Sequence, residues 1–216
     1  MIALAARICA SALSLRTAGT PMRTTLLCAL LLLLLPTVAL LQGIESLPAG
    51  FRGAHWGDPL SAITISAPDQ LGERTPDALS GRCQLAGRDF RFVYSAQEGK
   101  LARGAYLHDQ RHVDSNTDVA IFDALKAELS EKYGAPKSDQ ELWSNALFKG
   151  ERSKLGTALA IAAVVLRAQW DDGTNYIRLQ AQGKDIDITV SVTYGQLKDL
   201  PAEAAASGTR SDGQKL

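Results

Sequence analysis

The strongest constraint on the fold is a strand pattern near the end of the chain. From Asp185 to Tyr194, polar and apolar side chains alternate at every position. The apolar set is Ile186, Ile188, Val190, Val192 and Tyr194, and the polar set is Asp187, Thr189, Ser191 and Thr193. A period of two is typical of a β-strand that buries one face and wets the other. The pattern therefore predicts an antiparallel sheet with one dry face.

Other segments of the chain extend this sheet. Alternating or β-rich patterns predict strands over residues 89–95, 100–108, 160–170 and 174–181. Turn residues separate neighbouring strands, notably at Gly99 and at Asp171-Asp172-Gly173. Residues 66–88 are rich in Pro, Gly, Ser and Asp and are predicted to form a loop. The strands are expected to form an antiparallel meander.

One long helix is predicted between the two groups of strands, from Asn116 to Tyr133. Its apolar side chains recur at spacings of three and four, which places them on one buried stripe: Phe122, Leu125, Leu129 and Tyr133. Ser115 with Asp118 resembles a capping box at its start, and Gly134 with Pro136 ends it. The fold class predicted is therefore α+β, with an antiparallel sheet (a meander) packed on one long helix.

The start of the chain resembles an export signal. The stretch Leu26–Leu41 is almost entirely apolar, it is preceded by arginines, and no acidic residue occurs before Glu45. At about 1.5 Å per residue this run covers roughly 24 Å, less than the ~30 Å hydrocarbon core of a bilayer. Pro36 favours a cleavable signal over a retained membrane anchor. Residues 1–43 are therefore predicted to be a signal peptide or N-terminal membrane anchor, with Met1 or Met22 as the start.

Length and charge limit the domain organisation and the partners of the remainder of the chain. Residues 44–198 are predicted to form a single α+β domain, and residues 199–216 a disordered tail. The chain has 23 basic and 23 acidic residues, and three arginines lie before residue 44, so the rest carries 20 against 23. A mildly acidic domain has no electrostatic reason to bind nucleic acid. Cys83 is the one cysteine beyond residue 43, so no internal disulfide is expected in the exported domain.

Short motifs spread over residues 50–195 resemble a group of uncharacterised exported bacterial domains that open with F-R-G-x-x-W-G. The motifs are Phe51-x-Gly53-x-x-Trp56-Gly57, Phe92-Val93-Tyr94, Gly99-Lys100-Leu101, the helix end Leu125…Leu129…Tyr133-Gly134-x-Pro136, and the hairpin at Trp170. More faintly, the layout is similar to the small α+β fold of the BamE-like outer-membrane assembly lipoproteins, although their lipidated cysteine is missing. The resemblance implies an exported location and a fold, and it implies no catalytic residue.

The one cluster that resembles a metal site is His108-x-x-x-His112 with Asp109 and Asp114 close by. Two histidines four residues apart can share a zinc ion when they lie on one face, with a carboxylate completing the shell. These histidines fall between a strand and a helix start, where polar side chains are expected in any case. A solvated loop is therefore favoured over a metal site, and no cofactor is predicted.

Two further features have structural explanations that outweigh functional ones. Trp56 between two glycines is expected to anchor the first strand rather than to line a ligand pocket. Asp171 and Asp172 are expected to form a turn with Gly173 rather than a pair of catalytic carboxylates. The sequence also contains no nucleophile signature such as G-x-S-x-G and no phosphate-binding loop.

Three functions remain open on these grounds. The first is an exported periplasmic or envelope domain, without catalytic activity, that binds a protein or another envelope component. The second is a metal- or small-ligand-binding module that uses His108 and His112. The third is an unrecognised hydrolase. If the signal is retained, residues 26–41 attach the chain to the membrane.

Overall fold

A computed structural model of the chain describes residues 44–85 and 87–200. The predicted signal or anchor, 1–43, lies outside the described residues, as does the predicted tail beyond residue 200. No helix among the described residues combines the length and the apolar character needed to cross a bilayer. The description that follows concerns the described ranges.

The regular elements are named in chain order. The strands are β1 (Gly50–Phe51), β2 (Ala54–His55), β3 (Gln70–Arg74), β4 (Ala78–Leu85), β5 (Arg88–Gln97), β6 (Lys100–His108), β7 (Ser138–Trp143), β8 (Val164–Asp171), β9 (Asn175–Lys184) and β10 (Asp187–Gln196). The α-helices are α1 (Asn116–Tyr133) and α2 (Leu155–Ala160). An α+β fold with an antiparallel sheet, as predicted, is confirmed.

The main sheet has eight strands in the order β3-β4-β5-β6-β10-β9-β8-β7. Each consecutive pair is antiparallel. The sheet is therefore two four-stranded meanders, β3 to β6 and β7 to β10, whose last strands meet at the centre. A single meander is not confirmed, because the chain leaves the sheet after β6, forms α1, and returns at the opposite edge.

The helices cover one face of the sheet. The helix α1 has the predicted bounds, is 18 residues long, and buries Phe122, Leu125 and Leu129. The prediction of one long helix is not confirmed in that form, because α2 packs beside α1 and over β8 and β9. Sequence periodicity missed α2 because it has only six residues, fewer than two turns.

The prediction of a loop over residues 66–88 is wrong, since β3 and β4 lie there. In β4 the inward positions are Leu79, Gly81 and Cys83, so the apolar face is interrupted by a glycine. Gly81 lies against the Phe92 ring of β5, and a Cβ atom built on Gly81 would lie 2.3 Å from that ring. The aromatic ring fills the space that the glycine leaves, which a reading of one strand alone cannot reveal.

The hydrophobic core lies between the sheet and a cover made of two parts. Inward-facing residues are buried in the six inner strands, from Leu79 in β4 to Leu166 in β8, whereas the edge strands β3 and β7 bury none. The helices cover β8 to β10, and the segment that begins with β1 covers β6 through Phe51. Trp170 of β8 connects the sheet to the end of α1, because its indole N–H donates to the Gly134 carbonyl oxygen at 2.7 Å. The opposite face of the sheet is partly exposed and polar.

The turn between β9 and β10 takes Ile186 out of the apolar row predicted for the strand. Asp185 and Ile186 form a two-residue connection, both with positive φ (52° and 68°), and the Ile186 side chain is 61% exposed rather than inward. Two-residue hairpins favour turns of this hand, in which glycine or asparagine fit best. A β-branched residue in that region of φ is strained.

Replacing Ile186 by glycine is therefore expected to stabilise the protein by about 1 kcal/mol, because the strain of a left-handed isoleucine is removed. Urea denaturation of the parent and of Ile186→Gly would measure the change. The control is Ile161→Gly, which removes another exposed isoleucine, one whose own φ is negative at −89°. Equal effects of the two substitutions would contradict the strained turn.

Candidate functional site

His108 lies at the end of β6 on the inward face of the sheet. Its side chain is buried, with 2% of the residue exposed, so the prediction of a solvated loop is wrong for this histidine. Nδ1 lies 3.1 Å from the backbone carbonyl oxygen of Asp89. A carbonyl oxygen only accepts, so Nδ1 carries the proton, and Nε2 of the neutral ring has a free lone pair. That Nε2 atom is buried and has no hydrogen-bond partner among the described residues.

His112 lies in the connection between β6 and α1 and stacks on His108. The two rings are 18° from parallel, with centroids 5.4 Å apart. The Nδ1 atom of His112 lies 2.9 Å from Oδ1 of Asp118, and the side chains are 24% and 4% exposed, respectively. A carboxylate this deeply buried needs a partner, and His112 provides it. The pair links the connection to the first turn of α1.

Asp114 does not belong to this cluster. Its Oδ1 accepts a hydrogen bond from the backbone N–H of Asn116, so it caps the start of α1 instead. The capping box predicted for Ser115 with Asp118 is also wrong, because the Ser115 side chain makes no capping hydrogen bond. Asp118 points to His112 and into the protein. The third member of the cluster is therefore Asp118, four residues beyond the predicted aspartate.

His108, His112 and Asp118 together bring two imidazoles and a carboxylate to one place. One ligand-type atom from each of these side chains lies within 4.8 Å of the other two. Such a set can hold a proton or a metal ion, and it reaches solvent on the side of His112. The cluster lies where the ends of β5 and β6 meet the start of α1.

A partly buried polar group is Arg52, from the opening F-R-G-x-x-W-G motif. Its guanidinium lies over the Phe92 ring, 4.4 Å from the centroid, donates to the Tyr106 hydroxyl at 3.3 Å, and pairs with Asp69. Burial raises the pKa of Tyr106, and Arg52 offsets part of the rise. Arg52 has a positive φ of 53°, so its backbone is strained to aim the side chain inward. Through these contacts the guanidinium joins the segments that carry Asp69, Phe92 and Tyr106.

Trp56 and Asp172 make structural contacts, whereas Asp171 lies in β8 rather than in the predicted turn and pairs with Lys137 at 2.7 Å. The Trp56 indole N–H donates to Oδ1 of Asn175 at 3.1 Å, so the side chain ties the N-terminal segment to β9. Oδ1 of Asp172 accepts from the backbone N–H groups of Thr174 and Asn175 at 2.8 and 2.7 Å. Although desolvation opposes it, these hydrogen bonds lower the pKa of Asp172. Both residues thus have structural roles.

The uncovered face of the main sheet is rich in arginine. The arginines on this face are Arg82, Arg91, Arg103, Arg167 and Arg178. Its acidic residues lie at or beside strand ends: Asp89, Asp171 and Asp187. Arg82 on β4 is directly opposite Arg91 on β5, and both are exposed. Arg91 pairs with Asp109 at 2.9 Å, whereas Arg82 forms no ion pair within the described ranges. We call this surface the arginine face.

Polar cross-strand contacts hold other arginines of this face in place. Arg167 donates from Nε to Oε1 of Gln180 at 3.2 Å, and Arg178 donates from Nη2 to Oε1 of Gln169 at 2.9 Å. Each contact joins β8 to β9 between directly opposite residues. The two guanidinium groups are therefore ordered by the sheet itself.

Comparison of the chain with protein-family models, with curated proteins and with solved structures gives no match. The resemblance to exported bacterial domains and to the BamE-like fold therefore stays a prediction from short motifs.

Proposed function

We propose that this chain is an exported domain without catalytic activity that binds another protein of the cell envelope through the arginine face. The observation that carries the proposal is the cross-strand pair Arg82–Arg91 on a broad, uncovered sheet face. Like charges directly opposite each other in a sheet are destabilising, by up to about 1 kcal/mol. Asp109 offsets the charge of Arg91, and an acidic partner surface would supply a counter-ion for Arg82, which forms no ion pair within the described ranges.

The charge distribution supports the choice of partner. The chain beyond residue 43 is acidic overall, with 20 basic and 23 acidic residues. Arginine is nevertheless concentrated on one face of the sheet, where the strands hold the side chains in rows. Arginine binds carboxylates through a planar fork of donors and is common at protein interfaces. The face therefore suits an acidic segment of a protein.

The positions of the histidines support the proposal that the domain has no catalytic activity. His55 faces Asp58 with 3.8 Å between Nδ1 and Oδ2, His108 bonds to a backbone carbonyl, and His112 pairs with Asp118. Each histidine is thus engaged with an acceptor. A hydrolase would need a histidine or carboxylate beside a nucleophile and a site for the developing charge. The export part draws on the apolar run Leu26–Leu41 and its arginine-bearing flank.

The test is quantitative capture of envelope proteins by the full chain. We expect Arg82→Glu with Arg91→Glu to reduce capture of the bound partner at least tenfold, because two cations at the centre of the interface become anions. Capture by the parent should also fall as salt is raised from 0.05 to 0.5 M, because exposed charges are then screened. Mass spectrometry of the captured fraction measures both effects.

The matched control is Lys149→Glu with Lys154→Glu, which makes the same charge change at exposed positions outside the sheet. Capture should be unchanged in this control. Equal losses in the two double variants would contradict the arginine face. Binding to anionic lipid vesicles, with no protein captured, would instead identify the partner as a membrane surface.

A further inference from the structure

We propose that His108, His112 and Asp118 form a binding site for a divalent transition-metal ion of the zinc class. The site lies where the sheet meets the start of α1. It is separate from the arginine face, because His108 lies on the inward face of β6. Its argument is independent of the protein-binding function proposed above.

The first observation is the buried Nε2 atom of His108. A buried polar atom without a hydrogen-bond partner costs about 1–3 kcal/mol, and such atoms are rare in native proteins. Nε2 cannot be relieved by changing the tautomer, because Nδ1 must keep its proton to donate to the Asp89 carbonyl. The atom is therefore a fixed, buried lone pair. Such a lone pair can coordinate a metal ion.

The second observation is the surroundings of the two rings. Histidines that bind metals usually donate their other ring N–H to a backbone carbonyl or a carboxylate, which fixes the ring and the tautomer. His108 has this arrangement with the Asp89 carbonyl. His112 has a carboxylate partner in Asp118 at 2.9 Å. Asp118 can then act either as a ligand or as the group that orients His112.

Distances within the cluster suit a small ion after modest movement. Two ligands about 2.0 Å from a tetrahedral zinc ion lie about 3.3 Å apart. The Nδ1–Oδ1 separation between His112 and Asp118 is 2.9 Å, and all three candidate ligand atoms lie within 4.8 Å of one another. The largest gap therefore has to close by at most about 1.5 Å. His112 can supply this movement, since its side chain is 24% exposed and lies in a connection rather than in a strand or helix.

The ligand chemistry selects the class of ion. Imidazole nitrogen suits zinc, copper, nickel and iron, whereas magnesium and calcium prefer sites made of oxygen. Two imidazoles and one carboxylate also match the three-ligand sets that leave a further position open to solvent. The opening on the side of His112 would place that position at the surface. Bound metal would tie α1 to β6 through side chains on both elements.

The test uses the untagged full chain, stripped of metal with a chelator and titrated with Zn²⁺ by calorimetry. We expect one Zn²⁺ to bind at this cluster with a Kd in the micromolar range or lower. At 100 times the Kd, the melting temperature should rise by about 5–10 °C, because the ion binds the folded state. Mg²⁺ and Ca²⁺ at the same concentration should leave the melting temperature unchanged.

Variants connect the binding to these residues. We expect His112→Gln and Asp118→Asn each to weaken Zn²⁺ binding at least tenfold, the usual effect of losing a ligand or an orienting partner. His112 is partly exposed, so the fold should tolerate its replacement; a melt in the absence of metal checks this for both variants. The control is His55→Gln, which removes an exposed histidine that also faces an aspartate. The control should bind Zn²⁺ as the parent does.

Several results would overturn the metal site. Millimolar or weaker binding in the parent would do so. Unchanged affinity in His112→Gln would exclude the cluster as the place of binding, as would equal losses in His55→Gln and His112→Gln. Zn²⁺ affinity that falls only in the cluster variants, together with the rise in melting temperature, supports the proposal.

Discussion

Replacing Phe51 by alanine is expected to lower the free energy of unfolding by about 4 kcal/mol, the usual cost of removing a buried phenylalanine ring. Phe51 is 3% exposed. Its ring centroid lies 5.0 Å from that of Tyr94, 4.9 Å from Tyr106 and 5.5 Å from Tyr194. Such aromatic pairs contribute beyond the area that they bury. Urea denaturation followed by tryptophan fluorescence measures the change.

The partner of the Phe51 ring on the sheet is a glycine. A Cβ atom built on Gly104 would lie 2.0 Å from Cγ of Phe51, so Gly104→Ala alone should cost several kcal/mol through the clash. In the background of Phe51→Ala the ring carbons are gone, and only the Cβ atom of residue 51, 2.6 Å from the added methyl group, still has to shift, so the cost should fall by at least about 2 kcal/mol. The double-mutant cycle should thus show a coupling of at least about 2 kcal/mol.

Additive effects of the two substitutions would mean that Phe51 does not lie on Gly104. A small loss for Phe51→Ala alone would show that the N-terminal segment is not part of the core. The exposed residue Leu147 provides a control for hydrophobic truncation, since Leu147→Ala should change stability by less than about 0.5 kcal/mol.

Replacing Gly183 by alanine is expected to destabilise the protein by about 3 kcal/mol. Gly183 lies in β9, where the end of α2 crosses the sheet. A Cβ atom there would lie 1.8 Å from the backbone oxygen of Leu159 and 2.7 Å from its carbonyl carbon. Both atoms belong to the backbone, so no side-chain rotation relieves the overlap. The helix α2 would have to move away from the sheet, opening the buried sites of Ala158 and Leu159.

Thermal and urea denaturation of Gly183→Ala would measure this loss. The control is Gly72→Ala in the edge strand β3, where the nearest atom to the added Cβ is the Ser80 oxygen at 3.3 Å. That contact is tight but can relax at an edge, so the control should cost less than about 1 kcal/mol. Equal losses at both positions would indicate that α2 does not approach β9 closely.

Part of the candidate cluster could be predicted from the sequence. His108 and His112 stood out because two histidines four residues apart are a known ligand spacing. Asp118 did not, because an aspartate near the start of a helix has an ordinary explanation as a capping or dipole-compensating residue. What decides its role is the direction of its side chain, which follows from how α1 docks on the sheet.

The two histidines differ in burial, and their spacing in the sequence does not indicate this difference. His108 was correctly placed at the end of a predicted strand, yet it was expected to be solvated. Its position on the inward face follows from the register Val190–His108, which continues the buried row of β10 into β6. A polar residue at the end of an apolar row looks in sequence like the start of a loop. The arginine face was likewise missed, because its arginines come from five strands in two separate stretches of the chain.

The sequence alone determined the elements whose signals are local. The bounds of α1 follow from an apolar stripe of period 3.6 and from Gly134, which has a positive φ of 81° at its end. Strands β5, β6, β8, β9 and β10 follow from side chains that alternate or run apolar between turn residues. Tertiary structure decided the rest: the order of strands, the extra strands β3, β4 and β7, and the helix α2. These features depend on contacts between different elements, such as Phe92 over Gly81 and Leu159 against Gly183. Such contacts stabilise the fold only once the sheet has formed.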